Sequence, residues 1–166
     1  MNSLKRILLV EDSPRDAELI LDALDANQLA NEVVHVRDGA EALDYLYRRG
    51  LFAGRPDAQP ALMLLDLKLP KVDGLEVLRQ IKGDAILKMI PVVMMTASRE
   101  ERDLLQSYQL GVNAYVVKPM KFQDFVEAVK QVGIFWAVLN EVPPGSVRHS
   151  ENASVRSTPE KEKIQT

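Results

Sequence analysis

The stretch Ala61-Leu62-Met63-Leu64-Leu65-Asp66-Leu67-Lys68-Leu69-Pro70 decides how this chain is read. Five apolar residues in a row suit a strand covered on both faces, the pattern of a parallel sheet held between helices. The run stops at a carboxylate, which is expensive to bury and so marks a strand end. Working outward, a second run, Ile7-Leu8-Leu9-Val10, ends in Glu11-Asp12. Two later runs end in Thr96 and in Lys118-Pro119. An acid pair, a lone acid, a hydroxyl and an amine, each at a strand end, form one constellation.

The strands expected are 6–10, 32–36, 61–65, 91–95 and 114–117, with helices in the gaps because parallel neighbours need crossover connections. Glu32-Val33-Val34-His35-Val36 carries polar groups and reads as an edge strand. The fold class is therefore α/β, a doubly wound five-stranded parallel sheet of order 2-1-3-4-5. Helix starts are marked by Ser13-Pro14, by a capping box at Ser98-Arg99-Glu100-Glu101, and by Asp caps at Asp38–Glu41 and Asp73–Glu76. Gly111 stands where a left-handed stop would end the fourth helix. The fifth helix, about 121–139, should turn Phe122, Phe125, Val126, Val129 and Val132 to the core.

Residues 48–60 read as a long polar loop. The domain should span 4–142, and 143–166 reads as a polar tail too poor in large apolar groups to order itself. A hydrophobic fraction of 46% fits a globular protein, and no run is long enough to cross a bilayer. With no signal peptide and no cysteine, the cytoplasm is the expected compartment. A formal net charge of -3 argues against a nucleic-acid partner, and no membrane partner is expected. His35 and His149 are read as a strand residue and a tail residue, not as metal ligands.

In a doubly wound sheet, ligands bind beyond the carboxyl ends of the strands, where strand order reverses. Here that point lies between the first and third strands and receives Asp12 and Asp66. Glu11, Asp12 and Asp66 would repel one another unless a cation sat among them, and an all-oxygen site open to water favours Mg²⁺ over zinc. Such a cation would also neutralise an incoming phosphoryl group, so that an ionised Asp66 could attack phosphorus. The Thr96 hydroxyl and Lys118 ammonium are the donors wanted around the phosphoryl oxygens.

Together with Asp73-Gly74, Met95-Thr96-Ala97 and Val117-Lys118-Pro119, these residues give the chain a clear likeness. Over about 4–139 it resembles the response regulator receiver domain of the chemotaxis-regulator type, with its flavodoxin-like fold. The resemblance implies that Asp66 accepts phosphate from a histidine kinase, and that Asp12, Asp66 and the Lys68 backbone carbonyl ligate Mg²⁺, with Glu11 acting through water. It implies that Thr96 and Lys118 hold the phosphoryl group and that Lys68 and Ser98 flank the site and tune hydrolysis. Thr96 and Tyr115 would form the switch that biases the surface of the fourth helix, fifth strand and fifth helix. It also implies a cis Lys118–Pro119 bond. Such a protein is a phosphoacceptor that assists its own phosphotransfer and dephosphorylation, not a turnover enzyme.

The chain carries no recognisable output module. Asp44-Tyr45-Leu46-Tyr47-Arg48-Arg49-Gly50, its long loop and the ending Ile134-Phe135-Trp136 resemble the small regulators paired with phytochrome-type histidine kinases. Phe135, Trp136, Val138 and Leu139 exceed what a last helix needs for its own core, which points to a homodimer interface. Three rival readings are weaker. A haloacid-dehalogenase-type phosphatase needs a second acid where Lys68 stands. A flavodoxin would need a hydroxyl- and glycine-rich loop where Glu11-Asp12 would repel phosphate. A phosphorylation-independent pseudo-receiver, the runner-up, would be expected to lack part of this set, and none is missing.

Overall fold

A computed structural model describes residues 4–29 and 32–148. The strands are β1 (Leu4–Val10), β2 (Glu32–Val36), β3 (Leu62–Leu65), β4 (Val92–Thr96), β5 (Ala114–Val117) and a short β6 (Val147–Arg148). The helices are α1 (Pro14–Ala26), α2 (Gly39–Tyr47), α3 (Gly74–Gly83), α4 (Glu101–Gln109) and α5 (Phe122–Gly133). Five strands are parallel in the order β2-β1-β3-β4-β5, as expected from the alternation of apolar runs and helices.

Strand side chains alternate between two layers. Ile7, Leu9, Leu62, Leu64, Val93 and Met95 pack against α1 and α5, through residues such as Ile20, Leu24, Phe125 and Val129. Leu8, Val10, Met63, Leu65, Val92 and Met94 pack against α2 and α3, through Leu43, Leu46, Val77 and Ile81. The register places the functional ends level. Val10 pairs with both Val36 and Leu65, so the next residues, Glu11 and Asp66, emerge side by side.

The caps at Ser13, Asp38 and Asp73 form as expected, each side chain accepting a backbone N–H three residues on. Gly111 has φ +97 and follows α4 as its left-handed stop. Gly74 is required for another reason: a Cβ there would lie 2.2 Å from the Asp66 carbonyl oxygen, so α3 can close on the acceptor strand only at a glycine.

Several expectations are corrected. The capping box at Ser98 does not form, because α4 begins at Glu101 with Glu100 as an N-cap whose side chain makes no capping bond. Ser98 is instead buried and bonded to Asp103. All peptide bonds among the described residues are trans, Lys118–Pro119 included. Trans is the intrinsically preferred isomer of an X–Pro bond by about 0.5–1 kcal/mol.

The fifth helix is regular only to Gly133 and continues as π-helical turns over Ile134–Leu139. In its predicted stripe Phe125 and Val129 are buried, Val126 and Val132 are partly buried, and Phe122 is exposed.

The loop 48–60 is ordered. Arg55 Nε donates to the Tyr45 carbonyl at 2.5 Å, and its terminal nitrogens donate to the Leu46, Pro56 and Ala58 carbonyls. Its guanidinium lies 4.4 Å from the Tyr45 ring centroid. The segment after Pro143 is held as far as Arg148, since β6 pairs antiparallel with Leu4–Lys5 and the Gln59 N–H donates to the Gly145 carbonyl. Backbone bonding thus orders this first part of the expected tail. The remainder of the expected tail, with His149, lies outside the described residues. Among the described residues no helix is long and apolar enough to cross a membrane.

Candidate phosphoacceptor site

The site is built from the carboxyl ends of β1, β3, β4 and β5. At the end of β1, the Glu11 N–H donates to the Val36 carbonyl at 3.1 Å, and His35 Nε2 donates to the Glu11 carbonyl at 2.8 Å. These bonds fix the backbone and leave the side chain to turn inward, where it is 2% exposed. His35 is thus a strand residue that supports the acid pair from β2. Asp12 is exposed. Asp66 takes its place through its own N–H to the Val10 carbonyl at 3.0 Å, and its Oδ1 accepts the Leu67 N–H at 2.7 Å. Carboxylate oxygens of Glu11, Asp12 and Asp66 all lie within 4.8 Å of one another.

Lys118 closes this group. Its ammonium donates to Glu11 Oε2 at 2.6 Å, to Asp16 Oδ2 at 2.9 Å and to Asp66 Oδ2 at 3.1 Å. Burial works against the charged ammonium, but the Glu11 hydrogen bond and the Asp66 and Glu11 charges outweigh it and raise the lysine pKa. Glu11 moves the other way for an acid. Burial raises it from its ordinary value to about 7, with Lys118 opposing and the Asp66 charge adding to the rise. Four carboxylates facing one ammonium leave a strongly negative site, which attracts cations.

An all-oxygen, convergent donor set fits a hard divalent cation. The residues able to hold one are Glu11, Asp12 and Asp66. Lys68, expected to add its backbone carbonyl, stands two residues beyond Asp66 with its side chain exposed.

Thr96 is buried at the end of β4, and its Oγ1 accepts the Ser98 N–H at 3.2 Å. Its carbonyl accepts the Lys118 N–H at 2.7 Å, which ties the hydroxyl strand to the amine strand. The Tyr115 hydroxyl donates to the Ser98 carbonyl at 3.1 Å, so its ring is already turned toward the loop between β4 and α4.

The structure thus brings together Glu11, Asp12, Asp66, Thr96, Tyr115 and Lys118. Phe135, Trp136 and Leu139 lie apart, in the π-helical turns. Trp136 is half-buried against the α1–α5 core layer with Phe135 edge-on at 5.0 Å, whereas Phe135, Val138 and Leu139 are exposed. Of the expected interface residues, Trp136 therefore packs on its own domain.

Two acids escaped the sequence reading. Asp16 sits in the first turn of α1, its N–H accepted by the Ser13 cap, and meets Lys118 from that position. The cap fixes that turn above the strand ends, so an acid three residues after a capping serine was the available signal. Asp103 is a buried acid on α4, and nothing local in the sequence marks it.

Comparison with known proteins agrees with this geometry. Residues 7–130 match the response regulator receiver domain. The chain is 42% identical over 135 residues to the response regulator Rcp1 of Synechocystis, covering 81% of this chain and 90% of that protein. The Mn²⁺-bound form of Rcp1 superposes with a TM-score of 0.80, at 41% identity over 84% of this chain and 99% of that one. The phosphorylated cyanobacterial phytochrome response regulator RcpA gives a TM-score of 0.81 at 44% identity, covering 85% and 99%. The bacteriophytochrome response regulator RtBRR is 63% identical, with a TM-score of 0.68 and 86% of each chain covered. An acidic pocket at the strand ends, a divalent-metal donor set and the receiver fold converge: this chain belongs to the response regulator receiver family and serves as a phosphoacceptor in two-component signalling.

Proposed function

We propose that Asp66 is the phosphoacceptor, that Mg²⁺ is the cation held beside it, and that the donor is a histidine kinase of the phytochrome type. The observation that carries the reading is the state of the Asp66 carboxylate. One oxygen is fixed by the Leu67 N–H and the other faces Lys118 at the rim of the sheet. In the transfer, Asp66 Oδ2 forms a bond to phosphorus as the bond from phosphorus to the kinase imidazole nitrogen breaks. The nitrogen keeps the electron pair and takes up a proton.

Asp12, Asp66 and the Lys68 carbonyl would hold Mg²⁺, with Glu11 acting through water, and the ion would supply charge neutralisation at the phosphoryl oxygens. Lys118 moves its ammonium from the carboxylates to the product oxygens, and Thr96 gives its hydroxyl to another. Thr96 then leaves its contact with the Ser98 N–H, and the β4–α4 loop, whose Ser98 carbonyl holds the Tyr115 hydroxyl, is repositioned.

The phytochrome pairing rests on the likeness to RcpA and RtBRR, whose names carry it. The test is transfer from an autophosphorylated bacteriophytochrome kinase. Radiolabel should pass to the parent chain, and the Asp66→Asn variant should take none. Equal labelling from an unrelated histidine kinase would remove the phytochrome assignment.

Residues 4–142 form the receiver unit of this proposal, and the chain acts as a homodimer through its last helix and the α4-β5-α5 face. In support, α4 turns two polar side chains, Asp103 and Ser107, into the domain and leaves Leu104, Leu105 and Tyr108 exposed. Phe122, Phe135, Val138 and Leu139 extend the exposed apolar surface along and beyond α5. Because Trp136 packs on its own domain, Leu139 is the better probe. Leu139→Asp should sediment as a monomer at concentrations where the parent is a dimer, with an unchanged melting temperature. A parent that sediments as a monomer would refute the dimer.

A further inference from the structure

Helix α4 has almost no apolar anchor. Its buried side chains are Asp103 and Ser107, and the Ser107 hydroxyl is spent within the helix on the Asp103 carbonyl at 2.7 Å. Asp103 is 6% exposed and its Oδ2 accepts the Ser98 hydroxyl at 2.6 Å, while Ser98 Oγ in turn accepts the Glu100 N–H at 3.3 Å. A buried carboxylate is costly, and an ordinary helix cap is satisfied at the surface with no such cost.

Ser98 is committed in three directions. Its N–H donates to Thr96 Oγ1 on β4, its carbonyl accepts the Tyr115 hydroxyl from β5, and its hydroxyl donates to Asp103 on α4. Asp103 therefore lies one hydrogen bond from the residue that contacts both proposed switch side chains.

We propose that Asp103 is a positioning residue for the phosphoryl chemistry: its bond to the Ser98 hydroxyl tethers the β4–α4 loop to α4 and outlasts the Thr96 contact, and so sets the lifetime of the aspartyl phosphate. The proposal rests on the reading of Asp66 as phosphoacceptor. Asp103 touches none of the reacting atoms. In hydrolysis a water oxygen bonds to phosphorus, the bond from phosphorus to Asp66 breaks, inorganic phosphate leaves and the carboxylate returns, with the water proton passing to solvent. A latched loop limits the approach of that water. A released loop admits it.

The parent, Asp103→Ala, Ser98→Ala, the double variant and Asp103→Asn are compared after phosphorylation by a small-molecule phosphodonor with Mg²⁺, following adduct decay by intact mass. Each single alanine variant should shorten the phosphoryl half-life roughly five-fold, the rate equivalent of one net hydrogen bond. The double variant should be no worse than either single, because both remove the same bond. Asn keeps an acceptor for the serine hydroxyl and should restore the parent lifetime.

Hydrogen exchange of the Ser98 amide reads the latch without any phosphoryl group. It should quicken in Asp103→Ala and recover in Asp103→Asn. Lowered melting temperatures with equal half-lives would make Asp103 merely structural and overturn the proposal. Unchanged exchange at Ser98 would overturn it even if the parent took no phosphoryl group, an outcome that would separately sink the reading of Asp66.

Discussion

Replacing Lys118 by alanine should lower the stability of the chain by about 3 kcal/mol in the presence of a chelator, because removing one partner of a buried ion pair strands the other charge. Glu11 and Asp66, 2% and 9% exposed, would then face each other with Lys118 gone. A folded-state lysine pKa above the unfolded value means that the Lys118 contribution is full at neutral pH. It is lost only as pH rises above the ordinary lysine value of 10.5. Millimolar Mg²⁺ should restore much of the melting temperature of the variant, since a cation among the carboxylates replaces the missing ammonium and binding to the folded state stabilises it. Phosphoryl transfer should still be slower by roughly a hundredfold, the cost of losing one fixed charge that meets the transferring group. Melting curves with and without chelator check the first part. A variant as stable as the parent in chelator would show that the three ion pairs contribute nothing.

Divalent-cation affinity should fall as pH drops below about 7, the value to which burial lifts Glu11. Below that point Glu11 carries a proton in the metal-free chain, and a cation must displace it, which costs up to about tenfold in affinity per pH unit. The same group has a sign for folding. A carboxyl with a raised folded-state pKa binds protons more tightly folded than unfolded, so its ionisation opposes folding. The metal-free chain should lose that part of its stability as pH rises from about 4.5 towards 7. Glu11→Gln should flatten both profiles. Titrations with Mn²⁺ or Mg²⁺ at pH 6, 7 and 8 would decide (roughly a tenfold span for the parent). A parent profile as flat as that of Glu11→Gln would contradict the role given to Glu11.

The parts of this protein that were legible from sequence are those set by local rules. Apolar runs ending in Glu11-Asp12, Asp66, Thr96 and Lys118 place strands and their reactive ends together, because strand length and solvation of the end residue are both local. Ser13, Asp38 and Asp73 announce their helices for the same reason. What escaped depends on partners distant in sequence. Asp16 matters because Lys118, 102 positions away, reaches it. Ser98 reads as a cap, but its hydroxyl goes to a partner on α4, and side chains of β4 and β5 take its backbone N–H and carbonyl. Residues 48–60 read only as a long polar loop, because one arginine, Arg55, supplies their order through carbonyls that a sequence does not display. The Phe135–Leu139 cluster looked uniform, and only the packing of Trp136 on the domain separates the inward residue from the outward ones.

The most direct test of Asp66 as phosphoacceptor is to trap the acyl phosphate where it forms. After incubation with Mg²⁺ and a small-molecule phosphodonor, borohydride reduces an aspartyl phosphate to homoserine, and peptide sequencing by mass spectrometry locates it. The account predicts homoserine at position 66 alone, and none when Mg²⁺ is removed or Asp66 is replaced by Asn. Homoserine at position 12 or 16, or a phosphoryl adduct that persists in Asp66→Asn, would contradict it.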